Sequence, residues 1–239
     1  MDTQKAFLAN IRKAVGGSAD LPNADILPES LYHQQDADQQ QRKRAARSAE
    51  DLSALAKIFS ENAQPLNLDT HFVNSLDAAA NVIYDIVNST EPEFHNEKQL
   101  ILHDHPDLVA MRLTEKFAGR NIGVHITRLD DAQVREKTLS SFVGITVPDL
   151  AIADGAAVVQ LTAPGRPRST SLIPSIHIAV VHLAKLVADI SEAYTWLVAQ
   201  PSLPDSLVFI SGPSKTADIE GQLVHGAHGP RAMHVILIT

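Results

Sequence analysis

The chain has no cysteine among its 239 residues. That excludes disulfides, thiolate-bound zinc and any iron–sulfur cluster held by this chain alone. Aromatic residues make up only 5% of it, so the 44% hydrophobic content must build a core mainly from Leu, Ile, Val and Ala. There is no basic excess either. The formal net charge is -8, and nucleic acid needs a basic face that this balance does not supply. No apolar run approaches the ~18 residues of a membrane span. Residues 1–16 are charged and periodic rather than an apolar leader. The expectation is a cytoplasmic protein with no membrane span and no nucleic-acid partner. Gly-x-x-x-x-Gly-Lys-[Ser/Thr], Gly-x-Gly-x-x-Gly, His-Glu-x-x-His and Gly-x-Ser-x-Gly are all missing, which removes the common nucleotide-binding and hydrolase readings.

What is present is a helical lead followed by a βα rhythm. Phe7, Leu8, Ile11 and Val15 fall at helical spacing over residues 2–15, and Gly16-Gly17 ends that stretch. Residues 18–30 read as an irregular connector. A long helix is expected from 34 to 62, polar in its first half and docked by Leu52, Leu55 and Phe59. Residues 1–62 thus form a helical N-terminal arm and residues 63–239 an α/β domain. Strands are expected at Asn67–Val73, Leu100–His103, Gly123–Thr127 and Gly144–Val147. Helices are expected at Leu76–Val87 behind a Ser75 cap, at Asp107–Phe117, and from Asp130-Asp131 to Leu139. Beyond Asp149 come strand-like runs at 151–153, 156–161, 176–181, 207–210 and 233–238, with a helix opened by Asp189 and Glu192. The predicted fold is α/β: an open, mostly parallel sheet with helices on both faces, preceded by the helical arm.

Chemistry-bearing residues crowd between Phe209 and Pro230. The strand ending at Ile210 is closed by Ser211-Gly212-Pro213. Ser214 and Thr216 then precede Asp218 and Glu220, the pattern of a short helix opening. Free amides at such a start, with Lys215 beside them, suit a small anionic ligand; an ordinary capped turn with a solvated lysine is the alternative. Asp218 and Glu220 lie two apart, so on a helix they diverge rather than share a proton. One of them can orient Lys215 or a histidine. His225 and His228 are three apart, a spacing that would serve one metal on a helix, but Gly226 and Gly229 argue against that helix. No metal is expected, and a polar ligand contact or a backbone-bonded loop histidine is preferred. Arg166 and Arg168 flank Pro167, followed by Ser169, Thr170 and Ser171. Arginine forks suit carboxylate or phosphate, though a solvated basic loop would look the same. His177 follows Pro174, where it faces either a pocket or the end of a strand.

Three segments carry a family resemblance. They are Gly144-Ile-Thr-Val-Pro-Asp-Leu-Ala-Ile-Ala-Asp, then Arg168-Ser-Thr-Ser-Leu-Ile-Pro-Ser-Ile-His-Ile-Ala-Val-Val, and Ile210-Ser-Gly-Pro-Ser-Lys-Thr-Ala-Asp-Ile-Glu-Gly with His225-Gly-Ala-His-Gly-Pro after it. In this order they resemble the LUD-domain family, of the lactate utilization protein C type. The resemblance implies a fold like the NagB/RpiA/CoA-transferase group. It also implies a role in oxidising L-lactate to pyruvate beside partner subunits that carry iron–sulfur clusters. No cofactor is expected on this chain. The run Asp154-Gly155-Ala156-Ala157 departs from the family pattern, keeping the acid while losing two hydroxyls.

The resemblance assigns no catalytic residue, so the site rests on motif and chemistry. Ser214, Lys215 and Thr216 are expected to converge with Arg168, Ser171 and Asp154 around one pocket at the carboxyl ends of the sheet. Asp218, Glu220, His177, His225 and His228 are further ligand-binding candidates. The expected role is an accessory or ligand-binding subunit of an iron–sulfur lactate-oxidation system. The alternative is a free-standing enzyme acting on a phosphorylated or CoA-linked substrate.

Overall fold

The computed structural model describes residues 34–92, 97–129, 132–201, 204–219, 222–225 and 228–239. The amphipathic stretch at 2–15, the connector at 18–30, Asp130-Asp131 and Glu220 lie outside the described residues. The stretch expected as one helix from 34 to 62 is two, α1 (Gln34–Ala45) and α2 (Ala49–Ala63). Ser48 divides them. Its hydroxyl oxygen accepts from the Asp51 amide at 3.1 Å, and the Asp51 carboxylate accepts from the Ser48 amide at 2.9 Å. This reciprocal cap satisfies amides that a helix start leaves orphaned. At the joint, Arg47 donates to Glu192 Oε2 at 2.7 Å and to Leu186 O at 3.1 Å.

β1 (Leu68–Val73) leads into α3 (Leu76–Ser89), where Ser75 Oγ accepts from the Ala78 amide at 3.2 Å. β2 (Lys98–His103) is followed by α4 (Pro106–Ala110) and α5 (Leu113–Lys116), where one helix was expected. Arg112 separates them with a left-handed φ of 48°. Residues two apart on one helix point about 200° apart. An unbroken helix could not bury both Met111 and Leu113; the break leaves them 4% and 2% exposed. β3 (Ile122–Thr127), α6 (Val134–Ser140) and β4 (Val143–Thr146) come next.

Then follow β5 (Leu150–Ile152), β6 (Ala157–Leu161), α7 (Ser169–Leu172), β7 (Ile176–His182), β8 (Leu186–Val187), α8 (Ile190–Val198) and β9 (Leu207–Ile210). α8 opens on Asp189, whose carboxylate accepts from the Glu192 amide at 2.8 Å. The helix expected after Ser214 is instead a hairpin of β10 (Lys215–Ile219) and β11 (Gln222–His225). β-branched Thr216, Ile219 and Val224 suit pleated backbone. Pairing with 222–225, which no local spacing reveals, overrides the capping signal. β12 (Ala232–Ile238) ends the fold.

The main sheet runs β1-β12-β7-β4-β2-β3, and every neighbouring pair is parallel. β7 and β12 are covered on both faces, which is why they read as near-continuous apolar runs. One face packs Leu100, Ile145, Ile178 and Ile236 against Ile83 of α3, Leu108 of α4 and Phe117. The other face meets α2 through Phe59 and a second sheet through Val158. That sheet runs β8-β5-β6-β9 with β9 antiparallel to β6. α8 closes its far side through Ala193 against Leu150, Ile152 and Val159. Helices therefore flank a mostly parallel sheet as expected, with a second sheet added to one face.

From β2 the chain steps to β3 at one edge, whereas from β4 it proceeds to β7 and β12 on the other side of β2. The carboxyl ends of β2 and β4 are the switch point, where open α/β sheets form their crevice. Among the described residues no helix is long and apolar enough to cross a membrane.

Candidate functional site

The residues singled out around Ser214 gather in a cleft of about 270 Å³ whose lining includes Arg168, Ser171, Leu172, Phe209, Ser214 and His228. Gly212 turns the chain out of β9 at φ +91°, a conformation that favours glycine, with Leu66 O only 3.1 Å from where a Cβ would sit. The Ser214 amide donates to Pro230 O at 2.7 Å and its Oγ accepts from the His228 amide at 3.3 Å. Ser214 thus ties the two ends of the hairpin segment together. Across the cleft, Arg168 Nη1 donates to Ser206 Oγ at 3.1 Å and Ser171 Oγ donates to Arg168 O at 3.0 Å. One exposed guanidinium, two hydroxyls and an apolar wall form a small anion-sized recess.

Its position corrects the expectation of a pocket at the carboxyl ends of the main sheet. Pro230 leads into β12, and the next amide, of Arg231, donates to Ser175 O just before β7 at 2.8 Å. The cleft therefore lies at the amino-terminal edge of the parallel strands. In the other sheet, β5 and β9 both end on this side.

The other expected residues are placed as follows. Lys215 is exposed at the base of the hairpin and is not among the lining residues. Asp154 is exposed in the turn between β5 and β6, its carbonyl accepting from Asn62 Nδ2 at 3.0 Å. The turn abuts the cleft, because Ser211 Oγ donates to Gly155 O at 2.8 Å. Thr216, Asp218 and His225 belong to the hairpin strands, Lys215 pairing with His225. His225 and His228 share no helix, so the spacing that would have served a metal is gone. His177 is buried between the sheets, not in the cleft.

A second gathering stands at the switch point. Gly165, at φ +72°, holds the loop before α7 against β2: its carbonyl accepts from the Asp104 amide at 2.9 Å. Arg166 follows, donating through Nη2 to Asp149 Oδ2 at 2.6 Å and to Val147 O at 3.3 Å. His105 caps α4, its Nδ1 accepting from the Asp107 amide at 3.3 Å. A neutral His105 therefore carries its proton on Nε2. Asp107 Oδ2 accepts from Nε2 of His182, the last residue of β7, at 3.0 Å. That leaves the His182 Nδ1 lone pair unused among the described residues. Burial lowers the His105 pKa below the ordinary imidazole value; Asp107 pulls it back up, Arg166 and His182 push it down, and Asp149 raises it. Each of these four groups thus lies within electrostatic reach of His105.

Inward from this edge, His103 is fully buried and lies 3.3 Å from Pro167 O through Nε2. Burial, reinforced by Arg166 and His105, pushes its pKa down to about 3 against the Pro167 carbonyl. His177 is also held down to about 3, by burial first and then by His103 and His234; its Nε2 lies 2.8 Å from Thr146 Oγ1. The Nδ1 atoms of both rings, Gln160 Oε1 and Thr170 Oγ1 are buried with no partner among the described residues.

The LUD domain model matches residues 56–238. The chain belongs to the LUD-domain family. A lactate utilization protein C from an Exiguobacterium species is 38% identical over 108 residues, 44% of this chain and 47% of that protein. Another, from Bacillus velezensis, is 28% identical over 244 residues, 99% of this chain and 95% of that protein. The more similar alignments thus span about half the length of the relatives they match. Among solved structures, a DUF162 family protein from Deinococcus radiodurans aligns at TM-score 0.51 and 16% identity over 79% of this chain and 98% of its own. That likeness is one of fold alone.

Within this LUD domain, the sequence pointed to residues of the cleft, though it set them at the opposite edge of the sheet, and it missed His103, His105, Asp107, Asp149 and His182 at the switch point. A signal was available: both His103 and His182 close apolar runs, and strand ends are where sheets collect ligands. What the sequence could not show is that β2 and β7 bring those ends to one edge.

Proposed function

We propose that this LUD-domain chain serves the oxidation of L-lactate to pyruvate as an accessory or ligand-binding subunit, beside partner subunits that carry iron–sulfur clusters. The names of its relatives support the process, and the lack of cysteine agrees with clusters carried by other chains. The observation that carries the ligand-binding role is the cleft of Arg168, Ser171, Ser214 and His228. Arg168 takes a carboxylate, the Ser214 hydroxyl adds a hydrogen bond to it, and Leu172 and Phe209 suit a short apolar remainder. Lys215 adds cationic field from the hairpin base, with Thr216, Asp218, Glu220 and His225 in the same segment and Asp154 in the abutting turn. The proposal includes kinship with the NagB/RpiA/CoA-transferase group, supported by the parallel sheet. Deleting the gene should abolish growth on L-lactate as sole carbon source. The wild-type gene should restore it and an Arg168→Ala gene should not. Normal growth of the deletion strain, with no paralogue present, sinks the role.

A second reading, a free-standing enzyme acting on a phosphorylated or CoA-linked substrate, is favoured by one observation. The Asp107–His182 pair orients an imidazole in the way a general base requires, which binding alone does not. Turnover of such a substrate by the purified chain without partner subunits would decide for it.

A further inference from the structure

We propose that the crevice at the carboxyl ends of β2 and β4 is a second ligand site for a small hydroxy-carboxylate, with Arg166 meeting the carboxylate and His182 accepting from the hydroxyl. The inference takes from the lactate-oxidation reading only its choice of probe. It is separate from the Arg168 cleft. β7 begins at Ile176 beside that cleft and ends at His182 in this crevice, and seven strand residues span about 20 Å.

Three features carry it. First, the crevice is the switch point of the sheet, the place in such folds where backbone ends and diverging loops leave room for a ligand. Second, His182 is fixed in one orientation. Asp107, an acceptor only, receives a hydrogen bond from Nε2 at 3.0 Å, so in the neutral ring the lone pair sits on Nδ1 of a side chain that is 40% exposed. A hydroxyl is the natural donor to that nitrogen. Third, Arg166 is held rigidly through Nη2 by Asp149 and Val147 O, while among the described residues nothing engages Nη1. A guanidinium fixed at one nitrogen, with hydrogen-bonding capacity left at another, is preorganised to take a carboxylate oxygen. His105 stands between the two groups electrically, sensing both Arg166 and His182, and its Nε2–H is a further donor to the ligand. His103, the last residue of β2, and Gln160 beside it at 3.5 Å put buried polar groups at this end of the sheet.

The test is NMR on the full chain with labelled histidines, titrated with L-lactate and with propionate, which keeps the carboxylate and lacks the hydroxyl. L-Lactate should shift the His182 and His105 ring signals and saturate. Propionate should bind about tenfold more weakly, as one hydrogen bond is missing. His182→Gln, at a half-exposed position, should fold normally and lose that tenfold preference while still binding propionate. Asp107→Asn should weaken L-lactate by a similar factor, and unchanged thermal unfolding would certify its fold. Arg168→Ala should leave the His182 shift intact, which distinguishes this site from the cleft. L-Lactate that leaves both ring signals unmoved overturns the proposal, as does His182→Gln binding L-lactate and propionate with the wild-type preference. Either result leaves the growth phenotype, and with it the lactate-oxidation reading, standing on its own test.

Discussion

Thr146 Oγ1 and His177 Nε2 stand 2.8 Å apart between the neighbouring strands β4 and β7, and both side chains are buried. The bond stitches two strands together on the face that meets the second sheet. Thr146→Val keeps the volume and removes the hydroxyl, stranding a buried ring nitrogen. The expected cost is about 1–3 kcal/mol, read as a lower urea midpoint at unchanged slope. An unchanged midpoint would mean that the bond adds nothing net.

The same ring, with His103, makes stability depend on pH. Burial holds both pKa values down to about 3, against about 6.5 in an unfolded chain. The unfolded state therefore binds protons that the folded state refuses. Stability from these rings is full above the unfolded value and is lost as pH falls from there toward the folded value. Two such rings predict a loss of about 4 kcal/mol between roughly pH 7.5 and pH 5. Denaturant titrations at both values measure it, and His177→Gln should remove about half of the difference. A stability that is flat across this window would contradict the buried, neutral state of the rings.

Gly144 is a contact point rather than a turn. A Cβ there would lie 1.8 Å from Thr170 O and 3.0 Å from Pro174 Cγ, because α7 and the turn after it cross β4 at that residue. Gly144→Ala should cost about 3 kcal/mol or more, or leave the protein insoluble. Gly155→Ala, where nothing lies within 4 Å, is the matched control and should be near neutral. Thermal unfolding of the pair checks this.

The elements that could be read from sequence are those whose cause is local. Ser75 and Asp189 cap their helices as their spacing indicates, and the apolar runs of β7 and β12 mark strands buried on both faces. Nonlocal pairing was invisible. β10 looked like a helix start until Lys215 found His225 across the hairpin. β9 joined β6 in a second sheet that no local pattern announced. The site divides the same way. Arg168, Ser171, Ser214 and His228 were chosen for their chemistry, and the fold brings these four to one cleft. Asp107 and His182, 75 residues apart in the chain, meet only because β2 and β7 end at the same edge.

Calorimetry with pyruvate asks whether the Arg168 cleft binds a small carboxylate, since pyruvate carries no hydroxyl for the crevice to prefer. Wild type should bind. Arg168→Ala should bind about ten- to a hundredfold more weakly, the loss expected for one charge-assisted contact of about 1.5–3 kcal/mol. Lys215→Ala, outside the lining, should change affinity less. Equal affinity of wild type and Arg168→Ala, or no binding by wild type at all, would mean that the cleft is not a carboxylate site.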